Sequence, residues 1–320
     1  FAEISSGARI FFLPFLARFK TFSYLCNEIL LSMGKKSKKN TLYTIILLVL
    51  IGIATLVAEL ITTSEEQAVP ANIAAAALVE PTPASAESQL PYELPRVINN
   101  QPEQVIRHLG YTVSYNPDWL VPNWVAYELT NAETSGEQER KNHFKPDPLV
   151  NGDPVVTGEY ANSGYDRGHM APAADMKWSE QAMRESFYMT NMCPQLHSLN
   201  AGDWKDLEEL ARDWAQLYGN IYIACGPIVE PDYTTIGKNH MIAVPSAFYK
   251  VFLRQTRQGW TSIGFIMPNQ AGNRPLMTYM LSVDEVEAQT GIDFFYNLPD
   301  NLESQVESTY SVSDWTLSRK

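Results

Sequence analysis

The sequence predicts an α+β fold on three observations: strand-like runs come early, helical patterns interrupt them, and apolar β-rich runs return in the last third. Residues 111–115 alternate like a strand, and residues 123–129 are a second strand. Residues 131–148 are polar and loop-like, and Ser179 is placed as the N-cap of a short helix running to about Phe187. A longer helix is expected from about Asn200 to Leu217. Leu207, Leu210, Ala211, Trp214, Leu217 and Tyr218 recur there at helical spacing and form one core-facing stripe. Residues 221–224, 247–253 and 261–267 are three apolar runs separated by turn signals such as Gly226-Pro227 and Gln258-Gly259; they read as strands of one mostly antiparallel sheet. Ser282 with Glu285 three residues later, and Gly291 beyond them, mark a last helix by a capping box and a C-terminal glycine.

The chain has 320 residues, 45% of them hydrophobic, which is enough for one substantial core. Residues 1–32 are an N-terminal extension of uncertain status, because Met33 directly precedes Gly34-Lys35-Lys36 and reads as the biological start. Alternatively the Phe- and Leu-rich residues 10–16 are a short membrane-associated piece. Residues 33–61 contain an apolar run at 41–58, preceded by Lys35, Lys36, Lys38 and Lys39, which matches a minimal membrane span with a positive-inside flank. A cleaved signal peptide has the same charged-then-apolar order; the lack of a small-x-small site after the run favours an uncleaved anchor. Either reading exports the rest of the chain, which is then membrane-anchored or secreted. Residues 62–96, rich in Ala, Pro, Ser and Thr, form an extended tether, and residues 97–320 form one domain.

Net charge is −12, and beyond residue 40 there are 17 Lys/Arg against 34 Asp/Glu. So acidic a domain argues against holding nucleic acid through a broad basic surface; a polyanion would have to be gripped by a few arginines and a metal. Three cysteines, Cys26, Cys193 and Cys225, are too few for a disulfide framework. In an exported domain Cys193 and Cys225 could pair, or each could be a separate buried thiol.

The chemistry concentrates between Tyr165 and Trp204. Hydrolysis of a phosphodiester needs an activated water, a clamp for the developing negative charge and help for the departing oxygen. A neutral histidine suits the first task, and His169, set among Asp166, Arg167 and Gly168, is the candidate; the alternative is a hydrogen-bonded structural histidine. Asn200 offers a neutral amide oxygen suited to Mg²⁺, or it is simply a helix N-cap. On one continuous helix Glu208 would sit about 80° around the axis from Asn200 and address the same hydrated ion; its alternative is a solvated helix face. Arg167 and Arg140 have the geometry to clamp phosphate oxygens, though surface arginines are common. Asn191 is either an orienter of the site or a turn residue before Pro194, and Asp166 fixes Arg167 or a local turn.

Four stretches, residues 166–172 (DRGHMAP), 186–195 (SFYMTNMCPQ), 199–208 (LNAGDWKDLE) and 222–228 (YIACGPI), stand together in this order. In order and spacing they resemble the DNA/RNA non-specific endonuclease family, over roughly residues 123–295. The resemblance implies a ββα-metal (His-Me finger) core within a mixed, mostly antiparallel sheet flanked by helices, in an α/β/α body. It also implies that His169 is the general base, Asn200 the direct protein ligand of Mg²⁺ with Mn²⁺ as a possible substitute, and Glu208 a partner of the metal's waters. Arg167 would contact substrate, Arg140 would face the transition state, and Asn191 would be the site asparagine. Expected products carry a 5'-phosphate and a 3'-hydroxyl. Expected substrates are DNA and RNA, cut with little sequence preference since phosphate contacts carry no base information; a homodimer is common in such a family. Two rivals remain open: a phosphodiesterase on smaller substrates, suggested by the acidic surface, and a catalytically silent nucleic-acid-binding module.

Overall fold

Three β-rich runs that the sequence marks in its last third join an N-terminal meander to make one sheet. A computed structural model describes residues 91–316, which lie within one compact unit, Ser85–Lys320. The membrane-span or signal-peptide reading of residues 33–61, the start at Met33 and most of the tether lie outside the described residues. Among the described residues no helix is long and apolar enough to cross a membrane.

The sheet has seven strands in the order β12-β11-β10-β7-β4-β3-β2. These are β2 (Gln104–Arg107), β3 (Thr112–Asn116), β4 (Val121–Thr130), β7 (Asn220–Ile228), β10 (Ala247–Thr256), β11 (Gly259–Pro268) and β12 (Met280–Leu281), with every pairing antiparallel. Three two-stranded ribbons accompany it: β1 (Arg96–Val97) with β13 (Ile292–Asp293), β5 (Asp166–His169) with β6 (Met192–Gln195), and β8 (Thr235–Ile236) with β9 (Ile242–Ala243). Central strands β4, β7 and β10 are buried on both faces, which is why they read as unbroken apolar runs. On β4, Val125, Tyr127 and Leu129 enter one core, while Trp124 and Ala126 enter the other.

Among the described residues the α-helices are α1 (Asn131–Thr134), α2 (Glu180–Glu185), α3 (His197–Asn200), α4 (Asp203–Tyr218), α5 (Val283–Thr290) and α6 (Asp300–Glu307). Leu207, Leu210 and Trp214 of α4 pack into the first core with Phe252 and Phe265. Val283 and Val286 of α5 and Val306 of α6 close the second core with Phe294 and Phe295. Helices therefore cover both faces of the sheet, and the expected α+β class with a mostly antiparallel sheet holds.

Local signals held where the cap chemistry was explicit. Ser179 accepts from the backbone N–H groups of Gln181 and Ala182, Ser282 and Glu285 form a reciprocal capping box, and α5 ends at Gly291 with φ +65°. Three expectations need correction. The long helix begins at Asp203, not Asn200, and its N-cap is Gly202. Leu217, in the last turn of α4, is 61% exposed even though helical geometry puts it only about 20° around the axis from buried Leu210. Residues 91–96, expected in the tether, belong to the folded domain: Tyr92 packs on Tyr222 and Trp260 at centroid distances of 5.5 and 5.0 Å, and Leu94 joins the second core. Of the two alternatives for Cys193 and Cys225 the second holds: both are separate buried thiols, and the Cys225 thiol donates to the Met170 carbonyl at 3.2 Å.

Candidate active site

The first two stretches of the sequence motif become the two strands of the β5–β6 ribbon, with His169 opposite Met192, Gly168 opposite Cys193 and Asp166 opposite Gln195. Gly168 is required by packing: a Cβ there would overlap the side chain of Gln195. Helices α3 and α4 follow directly, giving a ββα unit. Since residues two apart on a strand share a face, Arg167 and His169 project to one side of the ribbon.

His169 is 7% exposed, with its ring 5.6 Å from that of Phe144 and edge-on to Phe187 at 5.0 Å. Its Nε2 has no hydrogen-bond partner. Burial, reinforced by the positive charge of Arg140, lowers its pKa to about 3, so the imidazole is neutral and able to accept a proton. The backbone around it is fixed at two points. Trp204 Nε1 donates to the His169 carbonyl at 3.3 Å, and the next N–H, of Met170, donates to the Asn191 carbonyl at 3.0 Å.

Asn191 is wholly buried, and its amide is spent on backbone. Its Oδ1 accepts from Ala171 N at 2.9 Å, while Nδ2 donates to the carbonyls of Ala171 and Ser186, each at 2.8 Å. With its amide engaged on both sides by backbone, Asn191 positions the chain leaving His169, which fits the orienting alternative rather than contact with substrate.

Both arginines lie on the aromatic rings that enclose the imidazole. The Arg140 guanidinium sits 5.6 Å from the Phe187 ring, with Nε donating to Asn142 Oδ1 at 2.7 Å. The Arg167 guanidinium is 5.0 Å from the Phe144 ring and 5.8 Å from Tyr160, and its Nη2 donates to the Thr157 carbonyl at 3.2 Å. Arg167 Nε is buried without a partner, so this side chain keeps unused donor capacity.

Asn200 is the last residue of α3, so the N-cap alternative fails. Gly202, where a Cβ would meet the Ser198 carbonyl, breaks the chain between α3 and α4. Asn200 and Glu208 therefore do not share one helix, and the angle expected from a continuous helix does not apply. What orients Asn200 is Asp166, whose Oδ2 accepts from Asn200 Nδ2 at 2.9 Å and lies 2.7 Å from His197 Nδ1. That contact corrects the reading of Asp166 as a partner of Arg167. It also leaves Asn200 Oδ1, which makes no hydrogen bond among the described residues, as a neutral hard ligand for a divalent cation.

Glu208, half-buried on α4, has its pKa raised to about 7 by burial and by Asp175, against the opposing charges of Lys250, Arg212 and Arg140. Arg140 thus acts electrostatically on both His169 and Glu208. Lys250, 1% exposed, was missed in the sequence. Its Nζ lies 4.6 Å from the Trp204 ring centre and donates to the Met170 carbonyl at 3.4 Å. A lone lysine inside the apolar run of β10 was the available signal, since a lysine is rarely buried without a task. Gln195, with both amide atoms buried and unpartnered, is a second omission inside the quoted motif.

The order of these elements agrees with what comparison finds. The sequence model described as DNA/RNA non-specific endonuclease matches residues 94–301. The chain belongs to this family. Among relatives, it is 35% identical over 206 residues to the mitochondrial nuclease EXOG of Danio rerio, covering 59% of this chain and 60% of that protein. Mitochondrial endonuclease G of Homo sapiens is 32% identical over 204 residues, covering 59% and 68%. A nuclease of Nostoc sp. is 33% identical over 210 residues, covering 62% and 75%. The chain thus spans about three fifths of the length of the zebrafish relative. A solved structure titled as the EndoG/EndoGI complex and the mechanism of EndoG inhibition superposes with TM-score 0.59 and 30% identity, over 63% of this chain and 89% of that one. Within the matched residues the ββα unit is the β5–β6 ribbon followed by α3 and α4.

Proposed function

We propose that this family member is a Mg²⁺-dependent endonuclease that cuts DNA and RNA with little sequence preference, leaving 5'-phosphate and 3'-hydroxyl ends. The observation that carries the reading is a buried imidazole at His169 whose Nε2 has no partner, enclosed by two rings that each carry an arginine. His169 takes the proton of the attacking water. Its low intrinsic basicity rises when substrate brings negative charge against Arg140, the neighbour that helps depress it. Arg140 and Arg167 hold phosphate oxygens bidentately, and Arg167 Nε is free for that purpose. Asn200 Oδ1 would hold the ion directly, and Glu208 would bind its waters. When bound, Mg²⁺ (or Mn²⁺) neutralises charge on the phosphate and acidifies its own waters. Asp166 and Asn191 hold these groups in place. The basic-then-apolar segment at residues 33–61 supports a location outside the cytoplasm, anchored or secreted.

The test is digestion of plasmid and RNA by the purified protein. Cleavage should need Mg²⁺, stop with EDTA, and fall by about 10²–10⁴-fold in His169→Ala; digestion that survives both treatments refutes the mechanism. The acidic domain motivates one rival, a preference for small esters. Faster hydrolysis of a simple bis-aryl phosphodiester than of long DNA would establish it instead.

A further inference from the structure

The sheet face opposite the ββα unit carries a second group of acids. Asp284 and Glu287 stand three residues apart on α5 and so share one side of that helix, while Glu307 is the last residue of α6. One oxygen from each of Asp284, Glu287 and Glu307 lies within 4.8 Å of the other two. Exposure falls across the group: Asp284 is exposed, Glu287 half-buried and Glu307 3% exposed.

Glu307 separates this cluster from an ordinary acidic surface. Its Oε1 is sealed from solvent and has no hydrogen-bond partner. The helix C-terminus on which it sits is the negative end of the dipole, which makes an anion there less favourable still. Glu287 Oε1 accepts from Phe294 N at 2.7 Å, and the adjacent cation, Arg96, is taken by Asp293. A buried carboxylate without compensation is costly, so the group must hold either a proton or a cation. Burial and the surrounding acids raise Glu307 to about 10 and Glu287 to about 7, which expresses the same unmet need for positive charge.

The ligand set is all oxygen and consists of three carboxylates, which suits a hard divalent cation. Ca²⁺ accepts several carboxylates in an irregular arrangement, whereas Mg²⁺ demands near-octahedral geometry and is usually held by one or two carboxylates with waters. Exposed Asp284 supplies the entrance, and waters fill the remaining positions.

We propose that Asp284, Glu287 and Glu307 bind a structural Ca²⁺ ion, joining α5 to α6 on the face opposite the active site. Glu307 lies beyond residues 94–301, so the family match does not extend to the whole of this site. The test uses the full chain carrying Asn200→Ala, which removes the proposed active-site ligand. After EDTA treatment, CaCl₂ is titrated by calorimetry and thermal unfolding is followed in parallel. One Ca²⁺ equivalent and a higher Tm are expected, with Asp284→Asn and Glu307→Gln each weakening binding by about tenfold or more. Should Glu307→Gln fail to fold, the exposed Asp284→Asn decides. Absence of binding heat and Tm shift overturns the proposal and leaves a shared proton in its place, as does binding that neither variant alters. Two equivalents, of which Asp284→Asn removes one, would uphold this site while refuting Asn200 as the active-site ligand.

Discussion

A single carboxylate, Asp166, decides which atom of Asn200 is offered outward. It accepts the Nδ2 hydrogen, so the amide cannot turn without losing that bond. Replacing Asp166 with Ala should leave the fold intact, because Asp166 is only half-buried, but should raise the Mg²⁺ needed for half-maximal cleavage by about 10–100-fold. A Mg²⁺ titration of cleavage rate checks this; an unchanged metal requirement would show that Asp166 does not orient Asn200. Identity at this scale was legible: His169, Arg167, Asn200 and Glu208 stand in the motif itself. Contacts were not, since which partner Asp166 takes depends on α3 folding back beside β5. Phe144 and Phe187, which carry the two arginines and enclose His169, gave no local sign because aromatic residues are expected in any core.

At the level of elements, α4 shows how far periodicity reaches. Its stripe was readable, and Trp214 proves its centre: the ring packs on Phe252 at 5.1 Å and Trp315 at 4.7 Å, and Nε1 donates to the Thr316 carbonyl at 2.8 Å. Trp214→Ala should cost about 3–5 kcal/mol. Leu217→Ala, at the exposed edge of the same helix, should stay within about 0.5 kcal/mol. Chemical denaturation of both variants tests the stripe, and comparable losses would contradict it. The start of α4 escaped the sequence because Asn200 is itself helical; only the close approach of Gly202 to the Ser198 carbonyl reveals the break. Likewise α1, with a capping box from Thr130 and Glu133, hid inside a stretch whose polarity read as loop.

For the whole molecule, titratable groups pull stability in opposite directions with pH. Glu159 is held near 2 by the Lys238 N–H and by Asn239 and His240, bracing the residues after β8 against the turn beneath Arg167. Its folded value lies below the ordinary 4.5, so its contribution is present above 4.5 and lost as pH falls through about 2. His169 is depressed from 6.5 to about 3, so folding also weakens as pH falls through that interval. Glu208 and Glu287, raised from 4.5 to about 7, do the reverse, and their contribution is lost as pH rises through about 7. In EDTA, Tm should therefore peak at mildly acidic pH, and Glu159→Gln should flatten the acid limb. A Tm profile from pH 2 to 9 measures both; an acid limb unchanged in that variant would remove the brace from the account.

The two thiols left unjoined in the core carry a consequence for where such a polypeptide can work. Cys193 and Cys225 are sealed inside, with burial raising both of their pKa values, so neither is readily ionised for oxidation. Nothing in the described architecture waits on an oxidant to mature. The domain can acquire its final shape before or after crossing a lipid barrier, in glutathione-rich or in aerated surroundings alike. Its folding places no constraint on the redox state of the place where it works.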